Sequence, residues 1–181
     1  MTSPQLRPAR ADDADQVALL HADSWRRNYR GAYADSFLDG DVEADRQTEW
    51  RARLHAPATT ETILAEHDDR LVGFIHVMLD DDPRWGSFID NLHVRHDLRR
   101  TGVGTRLLTA AARAVVERAT GNGMYLWVLA QNTAAQRFYR RWGGTSVESA
   151  PVPPPGGDPG RLVGTPLGLR MTWPDAAALG Q

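Results

Sequence analysis

The sequence predicts a single domain of mixed α/β class. Helical patterns come early in the chain, an antiparallel strand hairpin follows, and strands then alternate with helices. This order differs from the regular alternation of a doubly wound fold. The length of 181 residues fits one domain. We expect that domain to cover residues 1–181, with a core at about 5–173 and a loose tail at 174–181.

The first elements are a short strand and a helix. Leu6–Pro8 is predicted to form the strand. Asp12 or Asp13 is suited to cap the helix that follows. The helical spacing of apolar residues continues to about Tyr29, and Gly31 is expected to end the helix.

A second helix and a hairpin come next. The apolar stripe predicts a helix at Val42–His55, which Pro57 would stop. Thr62–Glu66 and Leu71–Leu79 are predicted strands, joined by a tight turn at Asp68–Asp69.

The second half of the chain alternates strands and helices. The predicted elements are a polar loop at Asp80–Gly86, a strand at Phe88–Val94, a helix at Gly102–Arg118, a strand at Tyr125–Leu129, a helix at Asn132–Trp142, a loop at Pro151–Gly160 and a strand at Leu167–Trp173.

Composition narrows the classes of function. The formal net charge is -2, from 21 basic and 23 acidic side chains, whereas nucleic-acid binders usually carry a basic excess. The chain has no cysteine, which excludes disulfides, thiolate metal sites and a cysteine nucleophile. No apolar run approaches the roughly 20 residues that span a bilayer. We therefore expect a cytoplasmic protein without nucleic-acid or membrane partners and without a bound metal.

The most informative stretch is Asp90–Leu108, where a strand enters a loop that opens a helix. Gly102 and Gly104 let a ligand approach the backbone closely. The first N–H groups of a helix lack intrahelical partners, and the helix dipole favours an anion there. Because Arg99, Arg100 and Arg106 add charge on a balanced chain, the stretch predicts a site for a small phosphate-bearing ligand. The alternative is a tight strand-to-helix turn with surface arginines. No Gly-Lys-Ser/Thr of a Walker loop follows, and the third glycine of a Rossmann fingerprint is missing.

The spacing Arg99-x-x-Gly102-x-Gly104 resembles the phosphate-binding signature of the GNAT superfamily of acyl-CoA N-acyltransferases. The resemblance implies a GNAT fold, with a central, mostly antiparallel twisted sheet of six to seven strands and about four flanking helices. It also implies that the strands before and after the Gly102 helix splay apart, and that the pantetheine arm of acetyl-CoA enters the gap. The cofactor residues that it implies here are Leu92, His93, Val94, Arg99, Arg100, Thr101, Gly102, Val103, Gly104 and Thr105.

A second stretch, Asn132–Gly143, resembles the Asn-x-x-Ala-x-x-Phe-Tyr-x-x-x-Gly motif of the same family. It adds Asn132, Ala135 and Phe138 to the residues expected at the cofactor. Asn132 is equally suited to cap a helix, and the spacing of Phe138 is also typical of a core residue. The next position, where the family often has an aromatic residue, is Gly144.

By the same resemblance Tyr139 is the general acid that protonates the leaving thiolate of CoA. A thiol with a pKa of about 8.5 and a phenol with a pKa of about 10 are close enough for this transfer. The alternative is a tyrosine at the edge of the core.

An amine must be neutral to attack, which calls for a base. Asp90 is the first candidate because GNAT members often place the base on this strand. Strict alternation puts Asp90 on one face with Leu92 and Val94, and His93 on the other. His76 on the preceding strand is the second candidate, and we also assign it to the acceptor side.

The first two helices are implied to form the acceptor side. Trp25, Tyr29 and Tyr33 are expected to bind the acceptor, although such aromatic residues also pack helix pairs. The expected activity is direct acetyl transfer from acetyl-CoA to a primary amine, which is a small molecule, a peptide N-terminus or a lysine. A non-catalytic acyl-CoA-binding module and a nucleotide-binding protein are the alternatives, and the chain is expected to be a monomer or homodimer.

Overall fold

A computed structural model describes residues 4–55 and 59–180. Within these residues the chain forms one seven-stranded sheet with five α-helices. The strands are β1 (Gln5–Pro8), β2 (Thr60–His67), β3 (Arg70–Asp82), β4 (Gly86–Val94), β5 (Met124–Leu129), β6 (Thr145–Pro151) and β7 (Leu167–Trp173). The helices are α1 (Ala14–Asn28), α2 (Asp35–Asp39), α3 (Val42–Arg53), α4 (Val103–Arg118) and α5 (Thr133–Arg141). Pro57, the predicted stop of the second helix, lies outside the described residues.

The strand order is β1-β2-β3-β4-β5-β7-β6. Every neighbouring pair is antiparallel except β4 and β5, which are parallel. The pairing of β4 with β5 is limited to Ser87 with Met124 and Phe88 with Tyr125, at the start of both strands. Beyond Phe88 the two strands separate, as the sequence predicted, and an opening forms between them.

Helices cover the β1–β4 half of the sheet on both sides. The predicted stripe of α4 is buried on one face, with Leu107 fully enclosed. On the other face α1 and α3 pack over β2 and β3, where Trp50 and Phe74 are fully buried. Replacing a leucine in such a core by alanine costs about 2–5 kcal/mol. None of the described helices has the length and apolar content to cross a bilayer.

The hairpin between β2 and β3 forms as predicted, with positive φ angles of 50° at Asp68 and 57° at Asp69. These are the angles of the turn that matches strand twist. The predicted polar loop at Asp80–Gly86 is wrong, because β3 continues to Asp82. The carboxylates there accept backbone hydrogen bonds, that of Asp80 from Thr120 N–H at 3.0 Å.

Sequence reasoning missed β6 and α2. β6 is an edge strand whose residues are almost all exposed, so it has no alternation of apolar and polar residues. β6 also includes Pro151, which is the first residue of the loop predicted at Pro151–Gly160. The rest of that loop contains short 3-10 turns at Pro155–Gly157 and Pro159–Arg161, and Pro155 is buried.

Two expectations about the chain ends need correction. The tail is not loose, because Ala176–Gly180 forms a 3-10 helix with Ala176 and Leu179 buried in the core beneath α4. Asp13 stands at the N-cap position of α1, yet its carboxylate makes no capping bond to that helix. It binds the guanidinium of Arg7 at 2.7 Å instead, so the helix start is tied to β1.

Candidate active site

The loop between β4 and α4 presents a row of unpartnered backbone donors. Gly102 stands before α4 with φ of 90°, a conformation that favours glycine. Within the described residues, the N–H groups from Arg100 to Thr105 make no hydrogen bond, and Arg106 N–H is the first to bond, to Gly102 O at 3.1 Å. The helix start therefore has the donors and the dipole orientation that bind phosphate groups.

The basic residues of this loop differ in their partners. Arg95 is paired with Asp97 at 2.5 Å, and Arg99 donates to Asn28 Oδ1 of α1 at 2.9 Å. Arg100 is exposed and, within the part of the chain that is described, makes no ion pair. Thr101 Oγ1 donates to Leu98 O at 2.6 Å, which closes the turn on itself. Arg99 and Arg100 are thus the exposed arginines of this loop that make no ion pair among the described residues.

Gly104 and Val103 have different roles in the loop. Val103 is buried in the core and is 3% exposed. A Cβ at Gly104 would make ordinary contacts, 3.5 Å from Phe138 and 3.7 Å from Val94. Because the protein leaves room for a methyl group there, packing does not explain the glycine. Close approach by a ligand does explain it.

A β-bulge places Asp90 on an unexpected face. His76 pairs with Asn91 and Val77 pairs with Ile89, so Asp90 is the extra residue of β4. The prediction that Asp90 shares a face with Leu92 and Val94 is therefore wrong. The carboxylate of Asp90 contacts Arg53 of α3, on the α1–α3 side of the sheet. Sequence alternation could not reveal the bulge, because one inserted residue reverses the pattern.

Asp90 is half-buried and engaged on one oxygen. Its Oδ2 accepts a short hydrogen bond from Arg53 Nη1 and a second from Asn91 Nδ2 at 2.7 Å. Arg53 also binds Glu49 through Nε at 2.6 Å. The other oxygen of Asp90 has no hydrogen-bond partner among the described residues, and it is the oxygen that remains for a ligand or water.

The two histidines that the sequence put forward, His76 and His93, are buried and neutral near pH 7. His76 Nδ1 lies 2.7 Å from Thr62 Oγ1, and burial, followed by the charge of Arg53, lowers its pKa to about 4. His93 Nδ1 lies 2.7 Å from Ser24 Oγ, and burial lowers its pKa to about 4 as well. Each ring can accept or donate a hydrogen bond, but neither is positioned in open solvent.

Helix α5 begins beside the gap between β4 and β5. Asn132 caps it, with Oδ1 accepting from Ala135 N–H at 3.1 Å, so the capping alternative is confirmed. Gln136, which the sequence reasoning passed over, donates through Nε2 to Ala130 O at 2.8 Å and joins the helix to the end of β5. Phe138 packs at the edge of the core, and its ring lies 3.5 Å from where a Cβ on Gly104 would stand, so it borders the loop between β4 and α4.

Tyr139 is buried, and its ring packs against Phe138 at 5.3 Å and Trp173 at 5.9 Å between centroids. Its hydroxyl makes no hydrogen bond within the described residues. Burial raises the pKa of Tyr139 well above that of a free phenol, and the neighbouring Tyr29 raises it further. The hydroxyl is therefore a protonated donor that is available to a ligand.

Packing explains why residue 144 is a glycine where the family motif often has an aromatic residue. A Cβ at this position would lie 2.7 Å from Cζ2 of Trp173. Trp173 also donates through Nε1 to Trp142 O at 2.7 Å, which fixes its indole over the end of α5. The tryptophan from β7 thus fills the space beside residue 144.

The predicted acceptor aromatics form one cluster. Centroid distances are 5.1 Å for Trp25 with Tyr33, 4.9 Å for Tyr29 with Tyr33, and 5.5 Å for Trp25 with Tyr29. Trp25 and Tyr33 are buried and pack with Phe37, which supports the packing alternative for them. Tyr29 is half-buried, and burial, followed by the charge of Asp90, raises its pKa to about 12. Tyr29 is therefore electrostatically linked to both Tyr139 and Asp90.

Several polar residues at this site were not predicted. They are His21, Ser24, Arg46 and Arg53, all on α1 or α3. His21 and Arg46 could have been found, since each falls on the otherwise apolar stripe of its helix. Among the described residues there is no group of three or more histidine and carboxylate side chains arranged to hold a metal ion.

Residues 22–144 match the sequence profile of the acetyltransferase (GNAT) family, and this is more than half of the chain. The chain belongs to that family. A GNAT relative, the uncharacterized N-acetyltransferase YuaI of Bacillus subtilis (strain 168), is 22% identical over 179 residues, which cover 96% of this chain and 95% of YuaI.

The GNAT fold is confirmed by solved structures. PaiA N-acetyltransferase from Thermoplasma acidophilum in complex with coenzyme A superposes with a TM-score of 0.73 and 16% identity, covering 95% of this chain and 100% of that chain. YncA from Salmonella typhimurium, with its cofactor acetyl-CoA, gives a TM-score of 0.67 and 16% identity, covering 96% of this chain and 94% of that chain. The predicted sheet of six to seven strands has seven strands among the described residues. The α-helices number five there, because α2 adds to the four that were predicted.

Proposed function

We propose that this GNAT protein transfers an acetyl group from acetyl-CoA to a primary amine by direct attack in a ternary complex. The observation that carries the proposal is the row of free N–H groups from Arg100 to Thr105, which lies at the end of β4 where the strand has separated from β5. A diphosphate fits the amides, and the extended pantetheine arm fits the gap. The Thermoplasma and Salmonella structures of this fold hold coenzyme A and acetyl-CoA.

The cofactor-binding residues form two groups. Backbone amides of the segment from Arg100 to Thr105 bind the pyrophosphate, with the side chains of Arg99 and Arg100 supplying charge. The backbone of Leu92, His93 and Val94 lies on the unpaired side of β4 and offers hydrogen bonds to the amides of pantetheine. Asn132, Ala135 and Phe138 border the opposite side of the gap.

Tyr139 stabilises the leaving group. Because its pKa is raised, the phenol stays protonated and donates a hydrogen bond to the thiolate sulfur as the thioester carbon–sulfur bond breaks. The thiol of CoA has a pKa of about 8.5, which is lower than that of this phenol, so complete proton transfer from Tyr139 to the thiolate costs free energy. The hydrogen bond therefore provides most of the stabilisation of the leaving thiolate, and the proton released by the amine reaches the sulfur later.

Asp90 serves as the base, directly or through a water, using the oxygen that Arg53 and Asn91 leave free. A lysine-like amine is only about one part in 2,500 neutral at pH 7, a cost of roughly 4.6 kcal/mol, whereas an α-amine near pKa 8 costs about 1.4 kcal/mol. His76 is a less suitable base because its ring is buried and its Nδ1 is already engaged with Thr62 Oγ1 at 2.7 Å. Of the three aromatic residues proposed for the acceptor side, Trp25 and Tyr33 are buried and Tyr29 is half-buried, so Tyr29 is the one proposed to contact the amine.

The test is release of free CoA thiol from acetyl-CoA, followed with a thiol reagent while a panel of small amines, peptides and lysine-containing peptides is supplied. The cysteine-free chain contributes no background thiol. Amine-dependent thiol release together with an acetylated amine in the mass spectrum is the expected result. Tight acetyl-CoA binding without transfer to any amine class would contradict the enzyme and indicate a binding module.

A further inference from the structure

Arg46 is a buried cation on the acceptor side of the molecule. It lies in the middle of α3, is 7% exposed and points towards α1. Its guanidinium carbon lies 4.4 Å from the centroid of the Trp25 ring, so one face of the group is covered by an indole. A cation in such a place needs a matching negative charge, because desolvation of an unmatched ion costs several kcal/mol.

The structure supplies only part of that negative charge. Asp45 Oδ2 accepts from Arg46 Nη2 at 2.5 Å and Nε at 2.9 Å. Asp45 Oδ1 accepts from Arg161 Nη1, also at 2.5 Å. The next carboxylate, Asp158, is 3.8 Å from Arg161 Nε and 61% exposed, so solvent screens it. Among the described residues, two guanidinium groups therefore share one enclosed carboxylate.

Both arginines border the aromatic cluster. Arg161 lies over Phe37 at 4.4 Å, just as Arg46 lies over Trp25. The backbone of Arg161 reaches the same place, since Ala34 N–H donates to Arg161 O at 2.9 Å. Tyr33 packs against the same indole that Arg46 covers, with 5.1 Å between the Trp25 and Tyr33 ring centroids. The excess positive charge thus lies beside the residues assigned to the acceptor.

We propose that Arg46 and Arg161 bind a carboxylate carried by the acceptor, so that the acceptor class is amino acids or peptides whose amine and carboxylate lie on one molecule. A guanidinium is a planar fork that matches a carboxylate. Nη1 of Arg46 has no hydrogen-bond partner within the described residues and remains for that role. The inference rests on the proposed acetyl transfer.

The test compares each of a set of L-amino acids with its own primary amide in the thiol-release assay. The amide has the less basic amine and a larger neutral fraction at pH 7.5, so chemistry alone favours it. We expect the acids to be used at least about tenfold more efficiently in kcat/KM, a fold-change that corresponds to one charge-assisted contact. Arg161→Gln and Arg46→Lys should remove most of this preference. The control Arg51→Gln, on the exposed side of α3 in a pair with Asp15, should keep it.

The outcomes separate the two proposals. Equal use of acids and amides, or preference for cationic amines, overturns the carboxylate site and leaves acetyl transfer standing. If no amine is acetylated, a binding measurement tests the carboxylate site. Binding of N-acetylated amino acids is then compared with binding of their amides by saturation-transfer NMR on the CoA-loaded protein. Selective binding of the acids, weakened by Arg161→Gln, supports the site and contradicts the enzyme. Binding of neither, or of both alike, overturns the inference.

Discussion

Asp90, the bulged residue of β4, forms an ion pair with Arg53 of α3. The contact fixes the carboxylate on the α1–α3 side of the sheet and leaves one of its oxygens free. It also connects the strand that leads to the phosphate loop with a helix of the acceptor side. The proposed base is therefore positioned by a residue that no sequence motif marks.

Asp90→Asn should lower kcat at pH 7 by about 10²-fold, the lower range for loss of a general base. The deficit should shrink towards pH 9.5, because the amine loses its proton without help as the pH approaches its own pKa. The measurement is a pH–rate profile of both proteins from pH 6.5 to 9.5. Glu49→Gln, which changes the other partner of Arg53, is the control and should leave the profile nearly unchanged. Matching profiles for Asp90→Asn and the parent would remove Asp90 from the mechanism.

Tyr139→Phe should lower kcat by about 10²-fold while the Kd of acetyl-CoA stays within a factor of two to three. Its hydroxyl has no protein partner to lose, so the free energy of unfolding should also be preserved. Tyr125→Phe is the matched control, because its hydroxyl donates to Asp81 at 2.6 Å. That change should cost about 1 kcal/mol of stability and leave turnover intact. Full activity in Tyr139→Phe would show that the phenol is dispensable.

Gly104→Ala should separate ligand binding from stability. The added methyl group has room in the protein and improves helix propensity by up to about 1 kcal/mol, so the protein should be equally or more stable. The same methyl group would project where the pyrophosphate approaches, and the Kd of acetyl-CoA should rise at least about tenfold. Gly102→Ala should instead lose about 1–2 kcal/mol, since its φ of 90° is costly for alanine. Unchanged affinity in Gly104→Ala would contradict the assigned position of the pyrophosphate.

Buried histidines predict a specific pH dependence of stability. His76 and His93 have folded-state pKa values of about 4, against about 6.5 in the unfolded chain. Between these values the unfolded state binds more protons, so the free energy of unfolding should fall as the pH drops from about 6.5 to about 4. Each histidine contributes a slope of up to about 1.4 kcal/mol per pH unit. Urea unfolding across that range should show a smaller slope for His76→Asn, and equal slopes would mean that His76 is protonated in the folded state.

The sequence predicted the order of the strands and helices well where the signal is local. The α4 stripe, the Asp68–Asp69 turn and the two motifs each depend on residues close together in the chain, and each lies where expected. The tail was misjudged because Ala176 and Leu179 become buried only through contact with α4, far away in the sequence. β6 was missed because an exposed edge strand has no apolar pattern to detect.

Sequence patterns marked only the cofactor side of the proposed site. Gly102 has a positive φ and Asn132 caps a helix, and both of these backbone requirements leave a trace in the sequence. The neighbours of Asp90 are set by the bulge and by the packing of α3, and nothing local in the sequence marks Arg53 as one of them. Electrostatic partners from separate elements depend on the three-dimensional packing of those elements.

Isothermal titration of the folded protein with acetyl-CoA tests the account most directly. The free amides from Arg100 to Thr105 and the opening between β4 and β5 predict saturable, one-to-one binding in the micromolar range, about −8 kcal/mol. Binding should weaken in Gly104→Ala and when dephosphorylated pantetheine replaces the full cofactor. Absence of binding heat at several temperatures, together with no retention of acetyl-CoA by the protein in equilibrium dialysis, would contradict the proposed acetyl-CoA site.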